Sequence, residues 1–210
     1  ARNDGVNLAI FGGNTALWQT RLTESPIGKN RRIIMYRYAN EDPVTDLRQV
    51  TIEYKDKRLN IPQTLFTGSQ TTGTHVYGNY SPVQIPSWLN IPKNSTITGI
   101  SPDSEIEARF QSSLASPSNV KAIFAGQMTY ADPSTILKGM PKRPLAEVVW
   151  FTNPNGQATF NAGLTTWACN LVDTCAYSSV DEKSRKVLDE VTKQVITLFE
   201  ERGIGNKLKA

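Results

Sequence analysis

Histidine is almost missing from this chain: His75 is the only one in 210 residues. It lies in a Thr/Gly-rich stretch with no cysteine or carboxylate pattern around it. A metal site would have to be built mainly from carboxylates, and none is expected. A Ser-His-acid or Cys-His machine would rest wholly on His75, and no Gly-x-Ser-x-Gly elbow is present. Gly12-Gly13 is not a dinucleotide fingerprint, and there is no Walker-type phosphate loop, so no cofactor is expected. No apolar run approaches the ~20 residues a membrane helix needs, so no membrane partner is expected. The opening Ala1-Arg-Asn-Asp-Gly5 lacks the layout of a secretion signal. It reads as an N-terminus after loss of the initiator methionine, though a processed precursor would look the same. Together these absences favour a binding or structural protein over an enzyme.

The composition is that of a folded protein, with 39% hydrophobic and 20% charged residues. A net charge of +4 and a pI near 9.1 permit a polyanionic partner without requiring one. The length suits one domain, 1–210. Within it, 60–141 reads as an insertion of loops and short elements, rich in Pro, Ser and Thr, with eight of the twelve prolines. A helix is expected over Asp103 to Leu114, where Ile106, Phe110 and Leu114 recur at four. Asp103, Glu105 and Glu107 then fall on a solvated helix face, and their use as catalytic acids is the weaker reading. A strand is expected at Ala122 to Tyr130.

Elsewhere strands dominate. Val6 to Phe11 and Ala16 to Leu22 suggest an N-terminal hairpin, and Ser25 to Gly28 a turn. Arg31 to Tyr38 and Val50 to Lys55 read as an antiparallel pair. Pro144 to Thr152, the turn Asn153-Pro154-Asn155-Gly156 and Gln157 to Ala168 form a further hairpin. Ser179-Val-Asp-Glu182 is a capping-box pattern opening a helix to about Arg202. That helix, about 34 Å long at ~1.5 Å per residue, carries an apolar stripe of Val187, Leu188, Val191, Val195, Leu198 and Phe199. Acid-before-base pairs four apart line its wet side, and Gly203 stops it.

One-sided antiparallel strands (Val50 to Lys55, Ala158 to Thr166), a final hairpin and the Ser179 to Arg202 helix resemble the coat proteins of single-stranded RNA, levivirus-like bacteriophages. The resemblance implies an α+β fold: a mainly antiparallel meander sheet, an N-terminal hairpin and a long C-terminal helix packed on a partner's sheet in an interlocked dimer. It implies a non-enzymatic capsid protein that assembles with itself into an icosahedral shell in the host cytoplasm and packages single-stranded RNA in the virion. Thr51, Lys55, Thr159, Asn161 and Thr165 would face the RNA, lysine on phosphate, threonine and asparagine on bases and sugars. Cys169 and Cys175 stand six apart at the strand-to-helix junction, where an intrachain disulfide and free thiols are both open. The alternative is a monomeric secreted or envelope β-rich binding module stapled by Cys169–Cys175. An enzyme using Glu105 or Glu107 is a further rival.

Overall fold

The computed structural model describes residues 4–36, 38–109, 116–136, 140–173, 176 and 179–208. The fold is built around β8 (Leu145–Thr152), whose residues from Ala146 onward are all buried. Its run of Val148, Val149, Trp150 and Phe151 is apolar on both faces, as a strand covered on both sides requires. The expected turn follows: Asn153 N–H donates to the Gln157 carbonyl at 2.8 Å, and Gly156 adopts φ +84°. β9 (Ala158–Asn161) then returns antiparallel along β8.

β1 (Leu8–Ile10) lies on the far side of β9, and the two run parallel, Leu8 opposite Thr159 and Ile10 opposite Asn161. The hairpin expected between Val6 to Phe11 and Ala16 to Leu22 is therefore absent. Residues 17–19 instead pair with the loop near residue 53, through Tyr54 N–H to Leu17 O and Gln19 N–H to Ile52 O. Across β8 lie β6 (Lys121–Gln127), β4 (Gln70–Pro82) and β5 (Ile97–Ala108), with β7 (Thr129–Tyr130) added to β4. The seven-stranded sheet is mixed rather than an antiparallel meander. It also turns back on itself. Just past β9, Gly163 O accepts from Glu107 N–H at 2.8 Å and Thr165 N–H donates to Glu105 O at 3.0 Å, so β5 meets the chain beyond β9.

Segment 60–141, expected as loops and short elements, thus supplies β4 to β7, including strands of 13 and 12 residues. The helix expected at Asp103 to Leu114 is strand β5 as far as Ala108, and Phe110 and Leu114 lie outside the described residues. Ser104-Glu105-Ile106-Glu107-Ala108 alternates at period two, and cross-strand pairing with β4 outweighs the four-residue spacing. The strand expected at Val50 to Lys55 is a set of turns. Val50 and Ile52 are buried there without a strand partner beyond the single bridge of Trp18 with Glu53. β2 (Arg21–Ser25) and β3 (Gly28–Ile34) form a separate two-stranded ribbon.

Helix α2 (Glu182–Phe199) begins at Asp181, whose carboxylate accepts from Ser184 N–H at 2.7 Å. Ser179, expected as the cap, donates its hydroxyl to the Gly99 carbonyl instead. Val187, Leu188, Val191 and Val195 are buried against this chain's own sheet, with Phe160, Trp167 and Ile100 in the same core. The stripe is covered without a partner's sheet, which removes the reason for an interlocked dimer. Leu198 and Phe199 are half-buried at its end. The ion pairs Glu182–Lys186 and Asp189–Lys193 form at 2.7 Å, while Arg185 reaches Asp173 at 3.4 Å.

Candidate functional site at the β1–β9 edge

The chain leaves the carboxyl end of β1 through Gly12-Gly13-Asn14-Thr15-Ala16. Ile10 O and Gly12 O accept from Ala162 N–H (2.9 Å) and Leu164 N–H (3.3 Å), which ties this loop to the end of β9. A Cβ on Gly13 would lie 3.0 Å from Thr165 Cγ2 and 3.2 Å from Thr165 N, so any side chain there would press the loop against Thr165. Asn14 and Ala16 both sit at positive φ, 56° and 57°. Two non-glycine residues in the left-handed region, two apart, are a concentration of strain of the sort met at binding and catalytic loops. The Thr71 hydroxyl donates to Asn14 Oδ1 at 2.8 Å, which leaves the Asn14 Nδ2 hydrogens as donors.

At the end of β9 lies a buried carboxylate. Glu107 is 1% exposed and takes three side-chain donors: Ser69 Oγ at 2.8 Å, Asn161 Nδ2 at 2.9 Å and Gln63 Nε2 at 3.3 Å. Asn161 also donates to Ser69 Oγ at 2.8 Å and accepts from Gly163 N–H at 2.9 Å. A charge taken out of water needs such donors. Short helix α1 (Thr64–Thr67) and its flanks bring Gln63 and Ser69 in, with Thr67 Oγ1 bridging the Gln63 and Ser69 carbonyls. Gly163, at φ +58°, allows the chain to pass between Glu107 and the Glu147 carbonyl, which a Cβ would approach to 2.7 Å.

A second buried carboxylate, Glu147, is held by the Arg109 guanidinium at 2.6–3.1 Å and by Arg109 N–H at 2.7 Å. Burial, and then the nearby Glu107 and Glu147 charges, push the Tyr80 hydroxyl far above its usual range. Tyr80 OH has no hydrogen-bond partner among the described residues. On β5, Glu105 lies two residues before Glu107 and therefore on the same strand face. Glu105 is only half-buried, and its backbone N–H donates to Thr165 Oγ1 at 2.9 Å. No carboxylate hydrogen bond or ion pair of Glu105 is seen among the described residues. Among the described residues, no group of three His, Cys, Asp or Glu is placed to hold a metal ion.

The five residues expected to face RNA do not share an exposed surface. Thr51 is fully buried, giving its N–H and hydroxyl to Asp42 at 2.8 and 2.7 Å. Thr159 is buried and accepts from Gln157 Nε2 at 2.8 Å, and Asn161 belongs to the Glu107 network. Lys55 is exposed but pairs with Glu53 at 3.0 Å, and Thr165 is exposed beside Glu105. Cys169 is disulfide-bonded, and Cys175 lies outside the described residues. Gly12-Gly13-Asn14, expected only as the turn of the N-terminal hairpin, instead opens the loop that joins the end of β1 to the end of β9.

Comparison with known proteins corrects the functional expectation as well. The profile of the family described as N,N-dimethylformamidase beta subunit-like, C-terminal, matches residues 1–179. No curated protein matches the chain. The family is named for the subunit of an enzyme, which overturns the phage coat protein, its shell, its RNA genome and its place in a virion. The non-enzymatic expectation falls with it, and the secreted binding module gains no support. Among the described residues, no helix is long and apolar enough to cross a membrane.

Proposed function

The chain belongs to the N,N-dimethylformamidase beta subunit-like, C-terminal family, and from that membership we propose that it is part of an enzyme hydrolysing small N-alkylated amides. Family membership over residues 1–179 is the observation that carries this reading. The β1–β9 edge supplies groups that suit it. Amide hydrolysis needs a base to deprotonate water, a donor for the carbonyl oxygen as it gains charge, and a proton for the departing amine. Glu105, half-exposed beside Thr165, is the base: it takes the proton of the attacking water and returns it to nitrogen as the C–N bond breaks. Asn14 Nδ2, fixed by Thr71, is the donor to the carbonyl oxygen. Glu107 touches no substrate and acts as a positioning residue, because it anchors Asn161, Ser69 and, through Gly163, the end of β9.

The test uses the native enzyme containing this chain, with N,N-dimethylformamide as substrate and released dimethylamine as the readout. Glu105→Gln and Asn14→Ala are each expected to lower kcat by about 10²-fold. The thermal unfolding midpoint should be unchanged in Glu105→Gln and modestly lowered in Asn14→Ala, which loses the Thr71 hydrogen bond at a positive-φ position. Turnover within a factor of about two of wild type in both variants would move the chemistry away from this edge, even if the enzyme were active.

A further inference from the structure

The two-stranded ribbon β2–β3 is separate from the main sheet. Arg21, Thr23 and Ser25 on one face of β2 are half-buried, and the opposite face is open. Leu22 and Ile33 face each other directly across it and are 53% and 69% exposed. Met35 beside them is 49% exposed, and Ile27 at the turn is 83% exposed. An isolated two-stranded ribbon is marginal in water, and a directly paired Leu–Ile couple left open adds to that cost. The base of the ribbon is nevertheless built firmly. Asp42 accepts both guanidinium nitrogens of Arg21 at 3.1 and 3.2 Å, and also Thr51 N–H, Thr51 Oγ1 and Val44 N–H at 2.7–3.0 Å. Arg21 further binds Gln49 O at 2.8 Å. The ribbon is thus presented in a fixed direction.

We propose that this ribbon is a docking arm for a different protein subunit, one that offers an apolar groove rimmed by carboxylates. Charge complementarity selects that partner. Lys29, Arg31 and Arg32 are exposed and make no ion pair among the described residues, against Glu24 as the single acid of the ribbon. A second copy of this chain fits poorly. Antiparallel pairing of β3 with its own copy would set Lys29, Arg31 and Arg32 against the same cations, a like-charge arrangement that destabilises strand pairs. An anionic membrane fits less well too, because the Leu22–Ile33 couple lies on the flank of the ribbon, with only Ile27 at the turn. The arm does not depend on which reaction the β1–β9 edge performs, and its test reads mass and cross-links rather than turnover.

The full chain, tagged and expressed in its own host, is purified as its assembly and treated with a zero-length carbodiimide. The expected result is a stoichiometric companion chain joined through Lys29 to one of its Asp or Glu residues. Leu22→Asp with Ile33→Asp should reduce that companion at least about tenfold. Val83→Asp, at an exposed apolar residue elsewhere (58%), should leave it unchanged. Unchanged thermal unfolding of the double variant shows that the fold is intact. Full companion stoichiometry in the double variant would overturn the proposal. So would Lys29 cross-links that reach only another copy of this chain, or an arm that binds phosphatidylserine vesicles while no companion is present.

Discussion

At the scale of single residues, Glu107 decides how the β1–β9 edge is held. Replacing it with leucine would leave the donors on Ser69, Asn161 and Gln63 without an acceptor, and each orphaned buried donor costs about 1–3 kcal/mol. Urea unfolding of Glu107→Leu should therefore show a midpoint well below wild type with an unchanged slope. A midpoint within error of wild type would mean that water replaces the carboxylate. The sequence contained Glu105 and Glu107, but their meaning depended on the element carrying them. On a helix they are two solvated acids; on β5 they share a face, and the tertiary closure onto Gly163 buries one of them. Asn161 was legible as a polar residue of an alternating strand. That its face is covered by Ser69 and Gln63, about ninety residues earlier in the chain, was not.

Elements with strong local signals were the ones a reader of the sequence could place. The Asn153 to Gly156 turn and the apolar stripe of α2 follow from turn chemistry and helical period, and both are present. β1 is the contrary case. Its partner β9 lies some 150 residues away and parallel, a pairing that no local pattern encodes, so the adjacent Gly-Gly-Asn was misread as a hairpin turn. Two outcomes test this level. Leu188, fully buried in the α2 stripe, should cost about 2–5 kcal/mol when changed to alanine, measured by urea unfolding. At the helix start, the Ser184 N–H and then the Thr98 hydroxyl hold the Asp181 carboxyl at about 2, below its ordinary 3.8. A depressed folded-state pKa stabilises above the unfolded value and is lost as the carboxylate protonates. The Tm difference between wild type and Asp181→Ala should thus be largest above pH 4 and shrink as pH falls toward about 2. A difference that stays constant over that range would show that the ionised Asp181 cap does not stabilise the helix.

The whole molecule joins three parts: a mixed sheet closed by β5, a helix that covers its own sheet, and a projecting basic ribbon. The coat-protein likeness rested on the hairpin and the helix, two parts common to many α+β folds that do not specify a function, and the family match over residues 1–179 overturns it. Amide hydrolysis is tested most directly by product formation from N,N-dimethylformamide by the native wild-type enzyme. Formate and dimethylamine should appear in equal amounts, in proportion to enzyme, with the rate falling when Glu105 becomes glutamine. Absence of both products from this substrate and from other small N-alkylated amides, with the assembly intact, would contradict it.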